Sequence, residues 1–230
     1  MAVRPRLLQQ STTFQAADRL IRRYARGKVH RAELKRNFAL IEAAARSGFP
    51  DAEAFLAHAY DVGVVIRRNL GKALRWYRSA AKHNQPHAQA WLGYAYSVGF
   101  GVPKDLRRAL RWERRAARSG DASALFNLGQ AFSEGLGVRE SASEAFRCWS
   151  EAALLNHAAA QCNLGKAYET GFGTKADARL AVAWYRKAAR QKDPIASYNL
   201  ARCYAEGIGV RVNPDRAKSW LKKAEALGFP

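Results

Sequence analysis

The chain is poor in acid, in cysteine and in long apolar runs, and each shortage closes off a class of protein. Only 19 Asp and Glu stand against 39 Lys and Arg in 230 residues, a formal net charge of +20. Charge of that size bears on partners rather than on the fold. The three cysteines, Cys148, Cys162 and Cys203, are an odd set with no Cys-x-x-Cys pair, which argues against a disulfide framework or a zinc site. Cys162 and Cys203 are expected to be buried as small hydrophobes, and the setting to be reducing and cytoplasmic. No apolar run reaches the roughly 20 residues of a membrane span. The opening MAVRPRLLQQ lacks the apolar stretch of about 7–15 residues that a secretory signal requires.

Motifs that carry chemistry are equally scarce. Ser79 and Lys82 have the Ser-x-x-Lys spacing of a hydrolase nucleophile, but so do Ser219 and Lys222, and neither Ser-Asp-Asn nor Lys-Thr-Gly occurs. His83 and His87 are four apart, yet Asn84, Gln85 and Pro86 break a helix between them, so they share no metal-binding face. The Gly-x-Gly pairs follow no strand and make no phosphate loop. No catalytic, cofactor or metal site is predicted, and the chain reads as non-enzymatic.

What is present is a repeat. A step of 36 residues returns the same chemistry without insertion or deletion. Leucine recurs as Leu20, Leu56, Leu92, Leu128, Leu164 and Leu200, and four residues on comes an aromatic: Tyr24, Tyr60, Tyr96, Phe132, Tyr168 and Tyr204. Both lie on one face of a first helix. Turn glycines follow at Gly27, Gly63, Gly99, Gly135, Gly171 and Gly207, where a left-handed backbone is needed. Second helices open on the N-caps Asn69, Asp105, Ser141, Asp177 and Asn213, with Ser141 and Glu144 spaced as a capping box. Within them Ala73, Trp76 and Ala80 return as small, large, small in repeats two to six, with Cys148 and Trp149 displacing the bulk by one place in the fourth, and Asn37 standing at the first small place of repeat one. Gly48, Asn84, Gly120, Asn156 and Gly228 suit left-handed helix ends, and Pro50, Pro86 and Pro194 suit helix starts.

The expected fold is therefore an all-α solenoid of six 36-residue helix-turn-helix repeats. Residues 1–12 form a basic leader, expected to be mobile, and 13–228 a single solenoid domain. Its repeats are 13–48, a degenerate cap, then 49–84, 85–120, 121–156, 157–192 and 193–228. Residues 229–230 open a seventh repeat that does not follow.

The pattern A-x-x-x-LG-x-x-Y-x-x-G-x-GV, an Asp or Asn cap, then A-x-x-W-x-x-x-AA resembles the Sel-one-like repeat (SLR) family, a relative of the tetratricopeptide repeats. It is carried by Ala88, Leu92, Gly93, Tyr96, Gly99, Gly101, Val102, Asp105, Ala109, Trp112, Ala116 and Ala117. The resemblance implies a right-handed superhelix with first helices lining its concave side, acting as an adaptor for other proteins. It is specific for fold and weak for function.

Two surfaces are candidates for binding. First-helix positions not used in packing bring Trp91 and Tyr94, Asn127 and Gln130, Asn163 and Lys166, and Asn199 and Arg202 onto one face at i and i+3. The asparagines suit an extended peptide backbone, Lys166 and Arg202 its carboxylates, and Trp91 and Tyr94 an apolar side chain; Asn at these places equally suits a bond to the neighbouring repeat's backbone. Outward second-helix positions carry Arg75, Arg78 and Lys82, then Arg107, Arg111, Arg114 and Arg118. The charge is uneven, +16 over residues 1–120, −3 over 121–156 and +7 over 157–230. The stripes suit an acidic protein or, as the alternative, nucleic acid or another polyanion; they also suit a plain solvated face. The expected function is a protein-interaction scaffold binding an acidic protein or peptide, on the concave face or the basic N-terminal half.

Overall fold

Why thirteen short helices form, and where each stops, follows from the caps. The computed structural model describes residues 3–229, with side chains from Thr12 onward. Met1 and Ala2 of the leader and Pro230 of the seventh-repeat opening lie outside the described residues. Among the described residues there are thirteen helices and no strand, in two compact units, 1–119 and 120–230.

The first unit holds α1 (Val3–Ala25), α2 (Arg31–Arg36), α3 (Phe38–Arg46), α4 (Pro50–Val62), α5 (Leu70–Lys82), α6 (Pro86–Val98) and α7 (Leu106–Arg118). Helix α1 starts at Val3, inside the stretch read as a leader. The second helix of repeat one is broken at Asn37, whose amide donates back to the Glu33 carbonyl at 2.9 Å and ends α2. From repeat two onward the caps act as the sequence indicates. Asn69 and Asp105 accept the backbone N–H three residues on, α4 and α6 begin on Pro50 and Pro86, and Gly63 and Gly99 close them in the left-handed region.

The second unit repeats the scheme with α8 (Ala122–Glu134), α9 (Ala142–Leu154), α10 (Ala158–Thr170), α11 (Ala178–Arg190), α12 (Pro194–Glu206) and α13 (Pro214–Ala226). The capping box at Ser141 is only half made. Ser141 Oγ accepts from the Glu144 N–H at 3.3 Å, but the Glu144 carboxylate turns to Arg147 instead of returning.

Packing follows the columns, with one correction. Leu56, Leu92, Leu164 and Leu200 are at most 1% exposed, each contributing about 1.5–3 kcal/mol by burial. Ala44, Ala80, Ala116, Ala152, Ala188 and Ala224 are fully buried. The tryptophan column is not the centre of the core: Trp76, Trp112, Trp184 and Trp220 are half-buried, and the bulk inside is the next residue, Tyr77, Trp149 or Tyr185. Three of the tryptophans are covered by a cation three residues on, Arg115, Lys187 or Lys223, over the ring at 4.8, 3.7 and 3.9 Å. Tyr60, Tyr96 and Tyr204 likewise lie under Lys72, Arg108 and Arg216. Such contacts let basic stems screen half-exposed rings from water.

Candidate functional site

In the first unit a groove of about 870 Å³ is lined from α1, α4 and α6, with Tyr24, Phe55, His58, Trp91 and Tyr94 in its wall. Trp91 is largely committed to the fold. It stacks on Tyr77 with centroids 4.0 Å apart, and its Nε1 donates to Asp61 Oδ2 at 3.0 Å. Burial, and then the charge of Asp61, holds the Tyr77 hydroxyl far above the ordinary range. Tyr94 is 54% exposed and presents an uncommitted ring. Asp18 and Asp51 also line the groove beside Arg22, which pairs with Asp18, so the groove itself is not cationic.

The cations lie on the second helices. Arg75, Arg78 and Lys82 on α5, and Arg107, Arg111, Arg114 and Arg118 on α7, are all exposed. Among the described residues none of the seven has a hydrogen bond or ion pair.

In the second unit the asparagine ladder is turned inward. Asn163 Nδ2 donates to Gln130 Oε1 at 2.9 Å, and Asn199 Nδ2 to Cys162 Sγ at 3.8 Å. The preceding repeat's side chains, rather than its backbone, take up these amides. Asn127 is exposed on α8. Arg202 is held by Glu169, with Glu206 a further 3.5 Å contact, and Tyr185 Oη donates to the other Glu169 oxygen at 2.8 Å. Lys166 is exposed and has no ion pair among the described residues. It lines a smaller cavity of about 320 Å³ together with Gln130, Ser133, Trp149, Asn163 and Phe172.

Some buried polar groups are not announced by any motif. Glu53 is 2% exposed and accepts from Ser79 Oγ at 2.7 Å, with His83 Nδ1 2.8 Å from its other oxygen. Serine and histidine thus meet one carboxylate and not each other, so the Ser79-x-x-Lys82 spacing builds no nucleophile and base. Glu113 is 5% exposed in the column that elsewhere holds Tyr77, Trp149 and Tyr185; its only sequence signal is a charge where the repeat has an aromatic. All three cysteines are buried and none is in a disulfide. Burial pushes the Cys162 thiol up to about 12 and that of Cys203 up to about 11, far from a nucleophilic thiolate. Among the described residues no three His, Cys, Asp or Glu cluster to hold a metal, and no helix is long and apolar enough to cross a membrane.

The comparisons with known proteins agree with the repeat geometry. The Sel1 repeat profile matches residues 50–85, 86–121, 122–157, 158–193 and 194–229, leaving the first, broken helix pair unmatched. Among solved structures, a Sel1 repeat protein from Oxalobacter formigenes is similar at 29% identity and a TM-score of 0.83, covering 94% of this chain and 83% of that one. So is c5321, a protective antigen of uropathogenic Escherichia coli strains displaying an SLR fold, at 29% identity and a TM-score of 0.84, covering 97% of this chain and 48% of that one. No curated protein matches. With the profile running unbroken from residue 50 to 229, the chain belongs to the Sel1 repeat family, whose members are generally protein–protein interaction scaffolds.

Proposed function

We propose that this chain is a non-enzymatic, cytoplasmic scaffold whose first unit docks an acidic segment of a partner protein on α5 and α7. The observation that carries this is the set of seven exposed, uncompensated cations on those two helices. Each exposed pair with a partner carboxylate is worth only about 0–1 kcal/mol. Seven together steer encounter and set register. Nucleic acid is the second claimant on the same cations, but the half-exposed rings beside them, Tyr60, Tyr96 and Trp112, lie under Lys72, Arg108 and Arg115. That leaves little open ring surface on which a base could stack.

The test is fluorescence anisotropy with two labelled probes, a 20-residue Glu- and Asp-rich peptide and a mixed-sequence DNA duplex, titrated across salt. The expected result is tighter binding of the peptide near physiological salt, weakened at least tenfold when Arg107, Arg111, Arg114 and Arg118 are all changed to Ser. Tighter binding of the duplex, with log affinity falling by about 0.9 per phosphate contact against log salt, would transfer the surface to nucleic acid.

A further inference from the structure

Six of the thirteen residues of α7 are arginines, and three of them meet in one cleft. Arg108, Arg111 and Arg115 stand at i, i+3 and i+7, and with Tyr96 of α6 and Trp112 they line a cavity of about 270 Å³ whose wall contains no carboxylate. All three are exposed. Arg108 lies over the Tyr96 ring at 5.8 Å and reaches Asp105 at 3.1 Å, and Arg115 lies over the Trp112 ring at 4.8 Å. Arg111, between them, has no ion pair among the described residues. Like charges at this spacing on a helix repel.

The next repeat fills the same three places differently. Glu144, Arg147 and Glu151 stand where the third repeat has Arg108, Arg111 and Arg115, and both carboxylates hold Arg147, at 2.8 and 2.7 Å. In repeat two the places hold Lys72, Arg75 and Ser79, and Glu42 shares their cavity wall. Repeats five and six bring at most two cations to these places. Arg111 therefore lacks the two negative charges that Arg147 has on its own helix.

We propose that this cleft binds the phosphomonoester of a phosphorylated serine or threonine in the acidic partner segment, its oxygens shared among Arg108, Arg111 and Arg115. The proposal rests on the reading that α5 and α7 dock an acidic protein, and it names the group that sets the register there. A phosphomonoester brings close to two negative charges and three strong acceptor oxygens at neutral pH. Those are the charges that the fourth repeat takes from Glu144 and Glu151. Guanidinium groups pair with phosphate oxygens through two parallel N–H bonds. The rings beneath Arg108 and Arg115 hold those planes before a ligand arrives, so less freedom is lost on binding. A side-chain carboxylate or a nucleic-acid diester carries one charge and answers only part of the set.

The test is fluorescence anisotropy at pH 7.5 with three labelled 15-residue peptides of alternating Gly and Glu, whose central residue is phosphoserine, Glu or Ser. The phosphoserine peptide should bind at least tenfold more tightly than the Glu peptide. That preference should shrink toward pH 5.5, as the phosphate takes up the proton whose pKa is about 6. Arg111→Gln should erase the preference, and Arg111→Lys should keep only a small part of it, because an ammonium lacks the planar fork. Arg114→Gln, outside the cleft wall, should weaken all three peptides alike. Equal binding of the phosphoserine and Glu peptides, or a preference that survives Arg111→Gln, would overturn the proposal. So would displacement of the phosphoserine peptide by inorganic phosphate, or by a mixed-sequence duplex, at equal phosphate concentration, since the ligand would then be the free ion or nucleic acid. Glu and Ser peptides that bind with no gain from phosphoserine would sink this proposal and leave the docking face standing. Binding of the phosphoserine peptide alone would do the reverse.

Discussion

The two units are built on the same 36-residue columns yet solve them differently. In residues 1–119 the buried column after tryptophan holds Tyr77 and Glu113, the second-glycine place holds Val65 and Gly101, and the excess of cations is large. In the second unit that column holds Trp149 and Tyr185, the glycines are kept as Gly173 and Gly209, and net charge is far lower. At the second glycine the units differ in what a side chain would meet: the backbone of the preceding second helix at Gly173 and Gly209, the side chains of Leu70 and Leu74 at Gly101. There the repeat is a constraint on close approach.

The sharpest way to break this comparison is at the second glycine. Gly173 has φ +69, and a Cβ there would collide with the Ala142 carbonyl of the preceding second helix. Gly101, at φ +67, would meet the tips of Leu70 and Leu74, which are side chains and can move. Gly173→Ala is expected to cost about 3 kcal/mol or more, by backbone strain and overpacking together. Gly101→Ala should cost less than half as much, as the left-handed Val65 (φ 57) already suggests. Urea unfolding of the two variants measures the difference; equal losses would mean that backbone approach does not distinguish the units.

Next in size is the carboxylate column. Glu169→Leu strands the Tyr185 hydroxyl and leaves Arg202 only its 3.5 Å contact with Glu206, and a cost of about 2–3 kcal/mol is expected. Asp61→Leu in the first unit strands only the half-buried Trp91 indole, and about 1 kcal/mol should be lost.

Much of this was legible in the sequence because the repeat is written by local chemistry. The caps at Asn69, Asp105, Asp177 and Asn213 and the buried leucines follow from spacing alone, since each depends on neighbours three or four residues away. The break at Asn37 was not legible: propensity changes little there, and the interruption is a side-chain bond to Glu33. Tryptophan looked like the core residue because it is the largest in its helix, but its position faces outward far enough to need a cation over it. At the candidate sites, the face shared by Lys166 and Arg202 was readable, and their different states were not. Whether a cation is free depends on a carboxylate more than 30 positions earlier, present as Glu169 for one and replaced by Ser133 for the other.

The smallest expected effect separates the units by pH. First helices of the second unit are capped by Asp121, His157 and Asp193, whereas Gln85 caps α6 in the first unit with a group that does not titrate. His157 Nδ1 accepts the Ala160 N–H at 3.2 Å, which requires a neutral ring, and the ring stacks on Phe126 at 4.8 Å. Burial lowers the His157 pKa, opposed by the charge of Asp121. A histidine whose folded value lies below its unfolded value, about 6.5, contributes stability above that pH and loses it as pH falls through the folded value. His157→Asn keeps an acceptor at the cap without the titration. Between pH 8 and 5 the wild type should therefore lose about 0.5–1 kcal/mol more than His157→Asn, an N-cap's worth, in paired urea titrations. Parallel curves would mean that the protonated ring leaves the cap at no cost, and that the two units differ in the residues at this position but not in how they respond to acid.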